Sequence, residues 1–261
     1  MRSTRGTTAQ LLPRDHLQDM GGSRVHMSWL GTIPEPFLSR PARAFVAGIA
    51  LLGVVALMTL SVPAEPLAID QSWSEAMQDI RTPLLTDVAL VFNALGRGLG
   101  RALSLTAVAV VVFPRRRWVA LLAFATTEVL TSLSSTLLKF LVGRPRPPDG
   151  LVHPVGSSFP SGHAAYAGAT CVALVLLLTV LGPRRRWWWA LAALGVLGMA
   201  WSRTYLQVHW LSDVVGGSLL GIGIALAVFG GAQLLIRMHR LPSATPIAEL
   251  ETSRDSLLRD V

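Results

Sequence analysis

Six long apolar runs are the sequence feature that most constrains this fold. They cover about 43–62, 88–113, 118–142, 162–182, 187–205 and 210–236. Each is close to the roughly 20 residues that a helix needs to cross the hydrocarbon core of a bilayer. Charged residues make up only 15% of the chain, whereas soluble domains contain about 25%. The pattern predicts an all-α, polytopic membrane helix bundle of about six transmembrane helices.

The arginines predict how this bundle lies in the membrane. A net charge of +8 favours either nucleic acid or an anionic membrane surface as a partner. The arginines cluster at the ends of the apolar runs, which favours the membrane, and we expect no nucleic-acid partner. They occur before the first run, at 115–117, at 184–186 and after the sixth run. If six spans alternate, all four sets share one side, which the positive-inside rule assigns to the cytoplasm. Both termini are therefore predicted to be cytoplasmic.

The predicted domain organisation is one membrane domain, 43–240, between two tails. Residues 1–42 and 241–261 are polar or charged, contain prolines and lack sustained periodicity, which is typical of flexible segments. We interpret the acidic segment 63–87 as an outer loop. The single cysteine, Cys171, lies inside an apolar run, so neither an internal disulfide nor a Cys/His zinc site is expected.

Chemically informative residues gather in three clusters. The first is Lys139 to Pro147, the second is Pro160 to His163, and the third comprises Ser202, Arg203, His209 and Asp213. The arginine topology places all three at the outer ends of their spans. We therefore predict that they converge on one site on the extracytoplasmic side of the cell membrane.

The cations of these clusters predict a phosphate-binding site. Lys139, Arg146 and Arg203 would be costly near a low-dielectric boundary without an anion, and one phosphate would satisfy several of them. Ser161 and Gly162 begin the fourth span, where the free N–H groups of a helix start bind anions. Ser161 has two interpretations, either an N-cap alone or a hydroxyl that also donates to the phosphate.

The two histidines of the clusters predict catalysis. His209 and Asp213 are four residues apart and share a helix face, so the carboxylate can hold one imidazole nitrogen and leave the other as a nucleophile. His163 comes from a different segment and can serve as general acid and then general base. The role of Arg144 stays open between a phosphate contact, a lipid headgroup contact and a solvated side chain.

Glu128 is a carboxylate inside the third span. It lies eleven residues before Lys139, about three helical turns further into the membrane. A carboxylate at that depth requires a partner, and we expect Arg97 or Arg101 of the second span to supply it. A structural role is favoured over a catalytic one.

The three clusters resemble the motif of the type 2 phosphatidic acid phosphatase (PAP2) superfamily, which reads Lys-x6-Arg-Pro, Pro-Ser-Gly-His and Ser-Arg-x5-His-x3-Asp. The matching residues are Lys139, Arg146, Pro147, Pro160, Ser161, Gly162, His163, Ser202, Arg203, His209 and Asp213. The resemblance covers about 85–236 and looks like the membrane branch of the family. It implies that His209 attacks phosphorus to form a phosphohistidine, that His163 protonates the leaving oxygen and later activates water, and that Asp213 orients His209. It also implies that no metal or other cofactor is needed.

The expected substrate is a lipid phosphate drawn from the surrounding membrane lipids. A polyprenyl diphosphate, phosphatidylglycerol phosphate and phosphatidic acid all remain open. One alternative is an enzyme like the vanadium-dependent haloperoxidases, whose anion pocket is similar but whose members are mostly soluble. Another is a non-catalytic lipid-binding or transport protein, although binding alone would not require a positioned nucleophile.

Overall fold

A computed structural model describes Leu38 and residues 40–96, 98–112, 118–178 and 185–240. These residues form helices and turns without any strand, which confirms the all-α prediction. The helices are α1 (Pro41–Ser61), α2 (Ala68–Asp79), α3 (Pro83–Leu95), α4 (Gly98–Val112), α5 (Trp118–Val142), α6 (Gly162–Leu178), α7 (Arg185–Tyr205) and α8 (Leu211–Arg240). The predicted tails lie almost wholly outside the described residues, and α1 begins two residues before the predicted domain boundary.

Several helices have the length and composition of membrane spans. Among the described residues, Pro41–Ser61, Trp118–Val142 and Leu211–Met238 are long and apolar enough to cross a bilayer, and Pro83–Leu95 and Gly162–Leu177 are shorter apolar helices. Leucine, valine and phenylalanine side chains on these helices are widely exposed, as on α1 and α5. Such a surface suits contact with lipid, and it agrees with a membrane protein.

The predicted second span is divided in the structure. The prediction of one continuous helix over 88–113 was wrong, because α3 ends at Leu95 and α4 begins only at Gly98. Glycines at 96, 98 and 100 disfavour an uninterrupted helix, since glycine loses more backbone entropy than any other residue on becoming helical.

The acidic segment 63–87 is also more ordered than the loop that we predicted. It contains α2 and the start of α3. The Asp70 carboxylate accepts a hydrogen bond from the Leu67 N–H (3.1 Å) at the start of α2. Thr82 caps α3 by accepting from the Leu85 N–H (3.3 Å), with Pro83 in the first turn. Local start signals therefore fold this segment into helix α2 and the start of α3.

Helix α8 packs against α1, α5 and α6. Phe124 of α5, Leu176 of α6 and Phe229 of α8 are buried in the core that joins these three helices. The first turns of α6 and α8 also meet directly, because the Ser161 N–H donates to the Asp213 carbonyl (3.0 Å). This packing brings the second and third sequence clusters together.

The first cluster joins them through the end of α5. The helix ends at Val142, and Gly143 follows with a φ of 62°, a left-handed conformation that glycine adopts without steric cost. The chain then turns back over the bundle. Arg144 and Arg146, which follow this turn, reach Asp213 and His209 respectively.

Candidate active site

A cavity of about 200 Å³ lies where the three clusters meet, and we call it the outer cavity. Six of the eight predicted site residues line it, namely Lys139, Arg146, Gly162, His163, Arg203 and His209. Asn93 at the end of α3 contributes a further polar side chain. Residues up to 116 positions apart in the sequence, from Asn93 to His209, thus enclose one small volume that contains three cationic side chains and two imidazoles.

Lys139 and Arg146 bind backbone carbonyls around this cavity. The Lys139 ammonium donates to the Ser157 carbonyl (2.7 Å). The Arg146 guanidinium donates to the carbonyls of Gly156 (2.9 Å), Ser157 (3.1 Å) and Val208 (2.7 Å). Neither cation makes an ion pair within 4.0 Å among the described residues. Their charge is therefore available to a bound anion.

Arg203 is held in place from α3. It is only 2% exposed, and its guanidinium donates to the Asn93 amide oxygen (2.9 Å) and to the Ser202 hydroxyl (3.1 Å). Ser202 in turn donates to the Ala89 carbonyl (3.2 Å). Ser202 is thus a structural link in this arrangement, while Arg203 faces the cavity.

Ser161 and Gly162, at the start of α6, occupy different positions relative to the outer cavity. The Ser161 hydroxyl accepts a hydrogen bond from the Ala164 N–H (3.4 Å), as an N-cap does, and its side chain is fully buried. Gly162 lines the outer cavity. The N-cap interpretation of Ser161 therefore has direct structural support, and its donation to phosphate stays a prediction.

The hydrogen bonds of His209 indicate its tautomer. The Nε2 atom lies 3.3 Å from the Arg146 guanidinium, which can only donate, so Nε2 carries the lone pair. The Nδ1 atom then carries the proton, and it lies 3.5 Å from the Asp213 carboxylate. This is the orientation that a nucleophilic Nε2 requires. We assign the tautomer from the hydrogen-bond partners.

Burial keeps the His209 imidazole neutral. It lowers the pKa of His209 to about 4, because an imidazolium would lose its hydration there. The neighbouring Asp213 carboxylate acts in the opposite direction and raises this pKa, whereas the charges of Lys139 and Arg146 lower it further. At neutral pH the His209 imidazole is therefore unprotonated, as the nucleophile hypothesis requires.

Asp213 belongs to a buried ion network that the sequence did not predict. One Asp213 oxygen accepts from the Arg144 guanidinium (2.8 Å), and the other accepts from the Trp210 N–H (2.8 Å). Arg144 also donates to Asp70 on α2 (2.8 Å). The side chains of Arg144, Asp70 and Asp213 are all 0% exposed. Two carboxylates therefore share one arginine in the interior.

Asp70 is bound tightly enough to serve as the anchor of this network. Its carboxylate accepts hydrogen bonds from the Ser212 N–H (2.8 Å) and the Ser212 hydroxyl (2.9 Å), in the first turn of α8. Arg144 is therefore neither solvated nor exposed to lipid headgroups, and its cation is neutralised by carboxylates. The structure thus contradicts the interpretations of Arg144 as a solvated side chain or as a lipid headgroup contact.

His163 lies beneath the break between α3 and α4. A Cβ atom added to Gly96 would overlap the His163 imidazole. The glycine at this position therefore lets the α3 terminus cover the imidazole closely. The imidazole lines the outer cavity together with His209, as the general-acid hypothesis requires.

Glu128 lies on a second, larger cavity of about 400 Å³, which we call the inner cavity. Its carboxylate accepts a hydrogen bond from the Thr170 hydroxyl (2.7 Å). The predicted partners of Glu128 were Arg97 and Arg101. Arg97 and the side chain of Arg101 lie outside the described part of the chain, so this pairing stays a prediction.

Sequence reasoning missed Asp70, Asn93 and Gly96. Asn93 offered a signal, since a polar amide within an apolar run implies a specific partner. The Gly96-Arg-Gly-Leu-Gly stretch signalled a helix break. Asp70 offered little, because it is one of several acids in a segment that resembles an outer loop.

In the described part of the chain, no three His, Cys, Asp or Glu side chains are grouped to hold a metal ion.

Comparisons with known proteins agree with this geometry. A model of the PAP2 superfamily matches residues 118–237. Phosphatidylglycerophosphatase B of Bacillus subtilis is 33% identical over 183 residues, which cover 66% of this chain and 87% of that protein. An undecaprenyl-diphosphatase of Sulfolobus acidocaldarius is 36% identical over 72 residues, 28% of this chain and 32% of its own length.

A solved structure resembles most of this chain. The crystal structure of a transmembrane PAP2-type phosphatidylglycerolphosphate phosphatase from Bacillus subtilis superimposes with a TM-score of 0.56 at 26% identity. The match covers 76% of this chain and 98% of that one. The three motifs meet at one cavity, and phosphatidylglycerophosphatase B is 33% identical over 87% of its length. The chain therefore belongs to the PAP2 superfamily.

Proposed function

We propose that this protein is a membrane lipid phosphatase that hydrolyses a phosphomonoester or diphosphate of a lipid through a phosphohistidine. The observation that carries the proposal is the convergence of Lys139, Arg146, Arg203, His163 and His209 on the outer cavity. The similar proteins from Bacillus and Sulfolobus are named as phosphatases. The substrates in those names support phosphatidylglycerol phosphate and polyprenyl diphosphate as candidates, beside phosphatidic acid.

The first chemical step uses the neutral His209. Its Nε2 lone pair attacks phosphorus, and the bond between phosphorus and the leaving oxygen breaks as the new N–P bond forms. His163 gives its proton to that oxygen. The guanidinium groups and the Lys139 ammonium stabilise the phosphoryl oxygens, because preorganised charge is worth most where water is excluded.

The second step restores the enzyme. His163, now neutral, accepts a proton from a water molecule, and that water attacks the phosphohistidine. The N–P bond breaks, inorganic phosphate leaves and His209 regains its lone pair. Asp213 interacts with the Nδ1 side of His209 throughout and stabilises the positive charge that develops on the ring. The three cations can supply the charge stabilisation that a metal supplies elsewhere, so we propose that no metal is needed.

The proposed location is the cell membrane, with six spans, both termini in the cytoplasm and the active site on the extracytoplasmic side. The arginine clusters at 115–117 and 184–186 support this arrangement. The proposed domain is 43–240, with 1–42 and 241–261 as flexible tails. In it, α3 and α4 together make the second span, and α2 lies at the outer surface.

Phosphate release from a panel of detergent-solubilised lipid phosphates, measured with EDTA present, tests the proposal. We expect the wild type to be active and His209→Ala to lose at least about 10³-fold in turnover, as enzymes do without their nucleophile. His153→Ala is the matched control, because His153 is exposed and lines neither cavity. Activity that EDTA abolishes would contradict the metal-free mechanism, and full activity of His209→Ala would contradict the nucleophile.

A further inference from the structure

The turn that carries His209 contains an uncommon backbone conformation. Helix α7 ends at Tyr205 and α8 begins at Leu211, so residues 206–210 reverse the chain. Gln207 in this turn has a φ of 52°, and no other non-glycine residue in the described part of the chain has a positive φ. Glycine adopts this left-handed conformation without steric cost, whereas a residue with a Cβ atom is strained there. Such a conformation persists only where the surrounding structure enforces it.

The Gln207 side chain is held by hydrogen bonds to α2. Gln207 is only 1% exposed. Its amide nitrogen donates to the carbonyls of Ser74 (3.0 Å) and Thr204 (3.1 Å). Its amide oxygen accepts a hydrogen bond from the Ser74 hydroxyl. Both ends of the amide thus bind one residue of α2, an interaction that a glycine at this strained position could not make.

Helix α2 also binds the far side of the same turn. Asp70 lies four residues before Ser74, on the same face of α2. Its carboxylate accepts hydrogen bonds from the Ser212 N–H (2.8 Å) and the Ser212 hydroxyl (2.9 Å). His209 therefore lies between two attachments to one helix, with Gln207 two residues before it and Ser212 three residues after it.

The backbone of this turn is bonded to two cationic residues of the outer cavity. Val208, between Gln207 and His209, donates its N–H to the Arg203 carbonyl (3.2 Å). Its own carbonyl accepts from the Arg146 guanidinium (2.7 Å). A shift of the turn would therefore move the His209 imidazole relative to the phosphate site. A misplacement of about 1 Å in a reacting group costs about 100-fold in rate.

We propose that Gln207 is a positioning residue for His209, which it holds in place by joining the α7–α8 turn to Ser74 of α2. This role rests on the proposed function, in which His209 Nε2 attacks phosphorus. Gln207 is not among the described residues that line the outer cavity, so it acts through the turn and not by touching the substrate. Helix α2 thereby supports the active site from outside the three sequence clusters.

The variant Gln207→Gly tests this role, because glycine keeps the left-handed backbone and removes only the side chain. Relief of backbone strain offsets part of the lost hydrogen bonding, so we expect Tm in detergent to change by less than about 5 °C. We expect kcat to fall about 10- to 100-fold while KM stays within about twofold. A merely structural role predicts the opposite, a lower Tm with unchanged kcat in the folded fraction.

The variant Ser74→Ala tests the partner on α2. It removes one of the hydrogen bonds of the Gln207 amide, and it should lower kcat about 2- to 10-fold. It should add nothing to Gln207→Gly in the double variant, because both changes remove the same contact. Ser72→Ala is the matched control on the same helix, since the exposed Ser72 hydroxyl donates to the Ala68 carbonyl of α2 itself (3.1 Å). Its kcat should equal that of the wild type.

Trapping of the phosphoenzyme separates this inference from the proposed function. With phosphatidylglycerol phosphate radiolabelled at the terminal phosphate, rapid acid-free quenching should reveal an acid-labile phosphoenzyme in the wild type. It should form about 10- to 100-fold more slowly in Gln207→Gly. Unchanged kcat in Gln207→Gly, additive losses in the double variant or an equal loss in Ser72→Ala would overturn the inference and keep the proposed function. Turnover by the wild type without an acid-labile phosphoenzyme would refute the proposed function itself.

Discussion

Replacing Arg144 by methionine should separate structural from substrate-binding arginines in this protein. Arg144 pairs with Asp70 and Asp213 at 2.8 Å each, and no part of the three side chains reaches solvent. Breaking a buried ion pair by removing one partner costs about 3–5 kcal/mol, because it leaves an uncompensated charge in the interior. Methionine retains an unbranched stem about as long as that of arginine up to Nε, so the loss of the charged end is the main change.

The expected magnitude follows from what each carboxylate retains. Asp70 keeps two hydrogen bonds from Ser212 and one from the Leu67 N–H, and Asp213 keeps one from the Trp210 N–H. We therefore expect the free energy of unfolding to fall by about 4 kcal/mol, near the middle of that range. Asp213 also lies 3.5 Å from His209 Nδ1, where we propose that it orients the imidazole. We therefore expect kcat to fall about 100-fold in the fraction that folds, as a misplacement of about 1 Å produces.

Equilibrium unfolding in detergent micelles and phosphate release from folded protein would measure these two effects. Arg81→Met is the control, because among the described residues the Arg81 guanidinium donates only to the Asp149 carbonyl (3.1 Å) and makes no ion pair within 4.0 Å. It should cost less than about 1 kcal/mol. If Arg144→Met instead raised KM with unchanged stability and kcat, Arg144 would be a substrate contact and the reasoning would be refuted.

Two further predictions concern the histidines. Gly96→Ala should lower kcat about 100-fold by displacing His163, whereas Gly53→Ala, which has open space around its Cβ position, should not; equal turnover of the two variants would contradict this. The pKa of His209 is about 4 in the folded protein and 6.5 in the reference state. The unfolded chain thus binds the extra proton first on acidification, and stability present above pH 6.5 should fall by about 3 kcal/mol towards pH 4. In unfolding measurements, His209→Asn should not show this loss of stability between pH 6.5 and pH 4. If the variant has the same pH dependence as the wild type, His209 is not its source.

The motif residues were predictable because each cluster is local in sequence. The interval from Lys139 to Arg146 spans a helix end that Gly143 enforces. Ser161 and Gly162 mark the first residues of α6, and His209 and Asp213 flank the start of α8. Helix ends fix depth in a membrane, so the arginine topology could bring three separate segments to one level.

The second span was harder to predict because two signals competed. Its apolar composition favours a single membrane helix, and the glycines at 96, 98 and 100 favour a break. The structure resolves the competition at Gly96, where close contact with His163 allows no side chain. Burial of an imidazole by a distant helix is a tertiary requirement that a window of sequence does not contain.

The sequence by itself determined the helical class, the membrane character and the motif residues that line the outer cavity, since these depend on hydrophobicity and on short-range spacing. Only the tertiary structure decided that Arg144 joins Asp70 to Asp213, that Asn93 holds Arg203, and that hydroxyl-bearing residues of α5 line a cavity beside His163. The physical reason is that a buried charge or hydroxyl takes its partner from whichever segment packs beside it. Asp70 and Arg144 are 74 residues apart, and that packing is set by the whole bundle.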